Sequence, residues 1–155
     1  MSILTAANPV GEAVFGVLQD ATLQTALGGR LYDSIPEDAP RPVVLYEITN
    51  ERDVRGFGTG GLPECELRTH VYSDLGSLSE AQSLNQQIVA LLKDAQIVVT
   101  GYTQCGTIVY RETMALPEEI MNGIMVHEVV STFTIWVEQG QQTPTSWAQQ
   151  DWIQP

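Results

Sequence analysis

Residues 124–137 (IMVHEVVSTFTIWV) carry the longest period-two pattern in the chain. Val129, Phe133, Ile135 and Val137 fall on one side with His127 and Ser131, and Glu128, Thr132 and Thr134 on the other with Val130 and Trp136, because successive side chains of a strand point to opposite faces. Such a segment cannot stand alone: its apolar side needs a covering layer and its backbone needs neighbouring strands. Leu62 to Ser73 repeats the pattern, with Leu67, Thr69 and Val71 opposed to Glu66, Arg68, His70 and Tyr72. Val43 to Thr49 is rich in β-branched and aromatic residues and reads as a further strand, as do Thr107 to Met114 and the short run Ile97 to Thr100, closed by a turn at Gly101.

Two segments switch to helical spacing. In the first, Asn8 suits an N-cap and Pro9 the first helical position. Val10, Ala13, Val14, Val17 and Leu18 form its stripe, Ala21, Leu23, Ala26 and Leu27 continue it after a break near Asp20, and Gly28-Gly29 ends it with positive φ. In the second, Ser77-Leu78-Ser79-Glu80 fits a capping box. There Ala81, Leu84, Ile88, Leu91 and Leu92 make an apolar stripe, with Gln82, Gln86, Gln87 and Lys93 towards water.

The links are equally distinct. Arg30 to Ile35 leads into the proline-broken loop 37–42 (EDAPRP); Asn50 to Gly61 (NERDVRGFGTGG) holds four glycines and reads as a long loop; Leu116 to Gly123 connects the last two strands. The order α-β-β-α-β-β predicts an α+β fold, with an antiparallel or mixed sheet of about four to five strands and two main helices on one face. Beyond Val137 the pattern stops: Glu138 to Pro155 contains six Gln, two Pro and two of the three Trp without period. The organisation expected is a domain over residues 1–138 and an extended C-terminal arm over 139–155.

Composition narrows the function. The chain has 155 residues with 19 Asp plus Glu against 7 Lys plus Arg, a net charge of −12, which argues against gripping duplex phosphates. At 43% apolar it is not an acidic disordered tail. No stretch approaches the roughly 20 apolar residues of a membrane span, and Met1-Ser2-Ile3-Leu4-Thr5 lacks the basic start and apolar core of a signal peptide. A soluble product made in the cytoplasm, with Cys65 and Cys105 as reduced structural thiols, is the expectation.

Several chemistries leave no mark. There is no P-loop, G-x-S-x-G elbow, H-E-x-x-H or C-x-x-C, and Gly56-Phe57-Gly58-Thr59-Gly60-Gly61 precedes a strand instead of a helix N-terminus, so it reads as a hairpin tip. His70 and His127 have Glu66, Glu128 and Asp74 nearby in sequence, yet alternation turns Glu128 away from His127, which leaves sheet-face histidines as the better reading than a metal or acid–base site. Glu118 and Glu119 are adjacent and point apart, unlike a glycosidase pair. No enzyme, metal or cofactor is expected. Trp147 and Trp152, aromatics on a polar arm, read as anchors for a partner's pocket.

In combination, Ala26-Leu27-Gly28-Gly29-Arg30-Leu31-Tyr32-Asp33-Ser34-Ile35-Pro36, Arg41-Pro42-Val43-Val44-Leu45 and Glu66-Leu67-Arg68-Thr69-His70-Val71-Tyr72-Ser73, followed by the second helix, resemble the tail-completion family of long-tailed bacteriophages, the small neck or tail-terminator subunits. The resemblance covers about residues 10 to 137. It implies a structural virion protein without catalytic residues, closing into a ring, a hexamer, that ends the tail tube and joins it to the head connector while DNA passes without specific binding. On that reading Arg52, Arg55 and Phe57 contact partners with Trp147 and Trp152, and Glu118 and Glu119 line the lumen. Residues 1–60 hold 4 basic and 8 acidic residues and residues 61–155 hold 3 and 11, so the acidic excess lies in the later segments. The rival readings are an acidic DNA-mimic inhibitor or small binding module of a basic enzyme, and an enzyme on a ferredoxin-like sheet.

Overall fold

The structure, a computed structural model, describes residues 6–36, 39–53 and 62–139. Helices α1 (Ala7–Val17) and α2 (Ala21–Leu27) precede strands β1 (Leu31–Tyr32), β2 (Val43–Asp53) and β3 (Pro63–Ser73); helix α3 (Ser79–Leu92) then leads to β4 (Tyr102–Gln104), β5 (Val109–Met121) and β6 (Ile124–Gln139). The result is the α+β fold that the patterning predicts, with the first helix split in two and with β1 and β4 added.

Strand β6 is the centre of the sheet. It pairs antiparallel with β3 along one edge, and with β5 and β4 along the other; β2 lies outside β3, and β1 pairs parallel with β2. The faces of β3 and β6 follow the alternation in the sequence: Leu67, Val71, Val129, Phe133, Ile135 and Val137 are buried. Over them pack Val10 and Val14 of α1, Leu23 and Leu27 of α2, and Ala81, Leu84, Ile88 and Leu92 of α3. Each large apolar side chain so buried contributes roughly 1.5–3 kcal/mol, so the two-layer core dominates the stability. Among the described residues the other sheet face carries no helix.

Several local expectations differ from the structure. Helix α1 starts two residues earlier than Asn8 would cap it: Ala6 is the N-cap, and its N–H donates to both carboxylate oxygens of Glu51, at 3.3 and 3.2 Å. Pro9 is tolerated because the first-turn N–H groups have no intrahelical partner anyway, and the distant carboxylate complements the helix dipole. The expected break near Asp20 is present, with Asp20 Oδ2 accepting from Thr22 and Leu23 N–H at 3.1 Å each. Gly28 then ends α2 at φ 60°, where an added Cβ would lie 2.9 Å from the Arg30 guanidinium.

The capping box does not form. Leu78 is the N-cap of α3 without a side-chain bond; Ser77 Oγ accepts from Ser79 N–H at 3.4 Å, and Glu80 accepts from Ser73 Oγ at 2.5 Å, tying the helix start to the end of β3. Ile97 to Thr100 is irregular, although Ile97 and Val99 are buried. Its strand partner is replaced by one side chain: Gln104 Oε1 accepts from Ile97 N–H at 2.6 Å, and Gln104 Nε2 donates to the Ala95 carbonyl at 3.0 Å.

The two long links are shorter than expected. Strand β2 continues through Asp53, past a register shift between Ile48 and Asn50, so only residues 54–61 of the expected loop lie outside the described residues. Strand β5 runs on to Met121, and the connection is the pair Asn122-Gly123 at φ 52° and 80°, the left-handed geometry of a two-residue hairpin. Pro117 does not break the strand because it sits where the β5–β6 register shifts, between Leu116 and Glu119, on an edge strand that needs no donor there.

Candidate assembly surface

The open sheet face gathers charge from three strands. His70 on β3 lies between Glu128 on β6 and Glu47 on β2, with Nδ1 2.7 Å from Glu128 Oε2 and Nε2 2.8 Å from Glu47 Oε2. A neutral imidazole has one N–H to donate, so two carboxylates at this range select the imidazolium. The Glu128 hydrogen bond raises the His70 pKa above its ordinary value, burial opposes this, and the Glu47 hydrogen bond adds to the rise. Tyr72 stacks on the ring, with centroids 6.2 Å apart. Burial and then the Glu128 charge push its phenol upward.

Of the carboxylates near the histidines in sequence, Glu66 pairs with Arg68 at 3.0 Å and Asp74 with Arg41 at 3.7 Å. His127 faces the helices, 3.9 Å from Glu118 Oε1. The ring of His70 separates its two carboxylates, so they cannot share one ion with it, and among the described residues no three ligating side chains converge. Sequence reasoning judged Glu128 against His127 and so missed its diagonal relation to His70. The signal that could have found it is the shared outward parity of His70 and Glu128 once β3 and β6 are paired.

A second cluster sits at the far end of this face. Glu64 takes Arg52 on one oxygen at 2.6 Å and the Trp136 indole N–H on the other at 2.9 Å. Arg111 donates to Thr134 at 2.8 Å and lies over the Trp136 ring, 5.6 Å from its centre. Arg52 is therefore exposed but held. Arg55, Phe57, Trp147 and Trp152 lie outside the described residues.

The β5–β6 hairpin makes the third feature. β3 pairs with β6 as far as Ser73 opposite His127, so among the described residues Glu119 to Met121 and Ile124 to Val126 pair only with each other. On this projecting end Ile120 is 71% exposed, Ile124 45% and Met125 41%. Glu118 and Glu119 are exposed at the same end. Arg52 belongs to the opposite end, about 34 Å away along the ten residues of β6 between the pairs of Glu119 and Glu64. The structure thus does not bring Arg52 together with Glu118 and Glu119. Sequence reasoning treated Ile120 and Ile124 as connection and strand and missed the wet apolar tip, although both flank the Asn-Gly turn signal.

A helix-backed sheet with one open face and a projecting apolar hairpin places the chain in the α+β class. The chain belongs to the tail completion protein gp17 family, whose model matches residues 12–138. Among solved structures it is similar to a chain of the virion of a native gene transfer agent particle, at a TM-score of 0.69 and 18% identity, covering 89% of this chain and 99% of that one. No curated protein matches. The family is one of structural tail proteins, not of enzymes, so this chain is a structural component of the virion and contacts other tail or head proteins. No helix among the described residues is long and apolar enough to cross a membrane.

Proposed function

We propose that copies of this subunit close into a ring at the head-proximal end of the tail, six in number as the family resemblance implies, ending the tail tube and joining it to the head connector. The projecting hairpin carries the reading. Its apolar tip lies at the β5 edge of the sheet, while on the β1–β2 side helix α1 presents Phe15, 39% exposed and with its ring centroid 5.9 Å from that of Tyr46 on β2. Two unlike sides suit a heterologous, head-to-tail contact, which makes a ring when its rotation closes, and Ile120 and Met125, exposed and opposite each other in the hairpin, give that contact an apolar patch.

Within that ring Arg52, Arg55 and Phe57 contact partners at the β2–β3 end. Glu118 and Glu119 face the lumen, where the −12 charge keeps DNA from sticking. The family match ends at residue 138, which supports a domain over 1–138 and an arm over 139–155 bearing Trp147 and Trp152. The test is native mass and imaging of particles with the paired substitutions Ile120→Asp and Ile124→Asp. Loss of the ring with unchanged subunit melting is the expected result; a ring that forms normally removes the hairpin from the contact.

A further inference from the structure

The helix layer leaves part of β5 uncovered. Helix α3 packs over β6 and β3, while Thr113 and Ala115 of β5, opposite the inward-facing Ser131 and Val129, stay exposed on the helix side of the sheet. A cleft of about 600 Å³ results between α3 and β5. Gln82, Gln86 and Ala90 form its α3 rim, and Val89, Tyr110 and Ala115 its apolar side. Its deeper polar groups already serve one another: the Tyr110 hydroxyl lies 2.6 Å from Thr113 Oγ1, which lies 2.8 Å from Ser131 Oγ, and Ser131 donates to Asn85 Oδ1 at 2.6 Å. No residue lining the cleft is charged, although the chain has a net charge of −12.

One segment of the same chain has the matching chemistry. Residues 140–155 hold five Gln, two Trp and a single charged side chain, Asp151. Side-chain amides suit the amide rim, and an indole, which buries about 150–250 Å² and keeps one N–H to satisfy, suits an apolar slot with a polar edge. Reach fits as well. The near end of the cleft is Tyr110, opposite Phe133 and six residues back along β6 from Gln139, about 20 Å. Trp147, eight residues beyond Gln139, reaches up to about 28 Å, which leaves length for the reversal of direction. The far end is Ala115, opposite Val129 and ten residues back, about 34 Å. Trp152, thirteen residues beyond Gln139, reaches about 45 Å. A segment tethered this closely is present at its own cleft at an effective concentration on the order of millimolar, far above that of a separate chain's arm in solution.

We propose that the α3–β5 cleft receives the Trp147–Trp152 segment of its own chain. The arm supplies the cover that the helices do not give β5, and the two Trp fill a pocket of the subunit that carries them instead of a partner's. This strap lies beyond the residues that match the family model, and it forms in a single subunit, with or without a ring.

The test uses the full-length chain with Cys105→Ser and two introduced cysteines: Ala148→Cys beside Trp147, with either Ala90→Cys on the cleft rim or Arg68→Cys on the open face. Arg68 is exposed and lies opposite Thr132, seven residues back from Gln139, about 24 Å, so the arm reaches that face too. Native Cys65 is buried and stays out of the reaction. In dilute solution a short bismaleimide should close the Ala90→Cys pair within one chain about tenfold or more faster than the Arg68→Cys pair, and Trp147→Ala with Trp152→Ala should abolish that preference. Equal rates for the two pairs overturn the proposal, as does a preference that survives the loss of both Trp. Chains with one introduced cysteine each, Ala90→Cys in one and Ala148→Cys in the other, are mixed in parallel. The expected result there is no product; a product formed between chains in preference to within one shows the cleft taking another copy's arm and also overturns the proposal.

Discussion

His70 and Glu128 are diagonal neighbours: His70 lies opposite Val130 and Glu128 opposite Tyr72, yet Nδ1 and Oε2 meet at 2.7 Å across the open face. With Glu47 on the other ring nitrogen, the contact stitches β2, β3 and β6 through one imidazolium.

That stitch should depend on pH. The His70 pKa is raised on folding, so its stabilisation is fully present below the unfolded value of about 6.5 and is lost as pH rises through the higher folded value. His70→Gln should therefore cost about 1–3 kcal/mol near pH 6, and the gap to the parent chain should narrow at alkaline pH. Urea midpoints measured from pH 5.5 to pH 9 check this; a gap independent of pH would mean that the ring packs but carries no charge.

Asn85→Ala removes the acceptor of the Ser131 hydroxyl, which is completely buried on β6. Ser131 keeps its contact with Thr113, so the cost expected is at the lower part of the 1–3 kcal/mol range for a buried polar group losing a partner. Denaturant titration measures it, and Asn85→Ala with Ser131→Ala should recover part of the loss.

Gly123→Val places a β-branched residue at φ 80°, a conformation costing such residues about 1–3 kcal/mol. The hairpin should lose protection first, so hydrogen exchange should rise at Glu119 to Val126 before the amides of β3 change.

The thiols should separate kinetically. Burial, then the nearby Glu51 and Glu64 charges, push the Cys65 thiol up to about 12, whereas Cys105 is half-buried. Maleimide at pH 8 should modify Cys105 in the folded chain and reach Cys65 only on unfolding, because the thiolate is the reacting form; mass spectrometry of the labelled chain reads both.

Where period and punctuation are local, the sequence is readable. The buried faces of β3 and β6, the α3 stripe and the break at Asp20 all follow from spacing within one element. What escaped depends on partners far along the chain: the Glu51 carboxylate at the start of α1, Gln104 acting for a missing strand beside Ile97, and Glu47 and Glu128 on His70. Pro117 misled because a proline is a breaker in a central strand and harmless at an edge bulge, and nothing near it says which applies. Of the residues expected to contact partners or line the lumen, Arg52, Glu118 and Glu119 have described positions, at opposite ends of β6.

The strand on which this sheet converges is also the last of the six to be synthesised. At translation speeds of about 5–20 residues per second, β2 and β3 leave the ribosome several seconds before β6 can pair with β3 and bring β5 and β4 into the sheet. Until then Leu67 and Val71 lack their strand partners Phe133 and Val129, and the hairpin does not exist. An unfinished chain therefore holds β3 with one edge unpaired, the kind of edge that pairs readily with another chain, so the last-made strand is also the one that closes the sheet against such pairing.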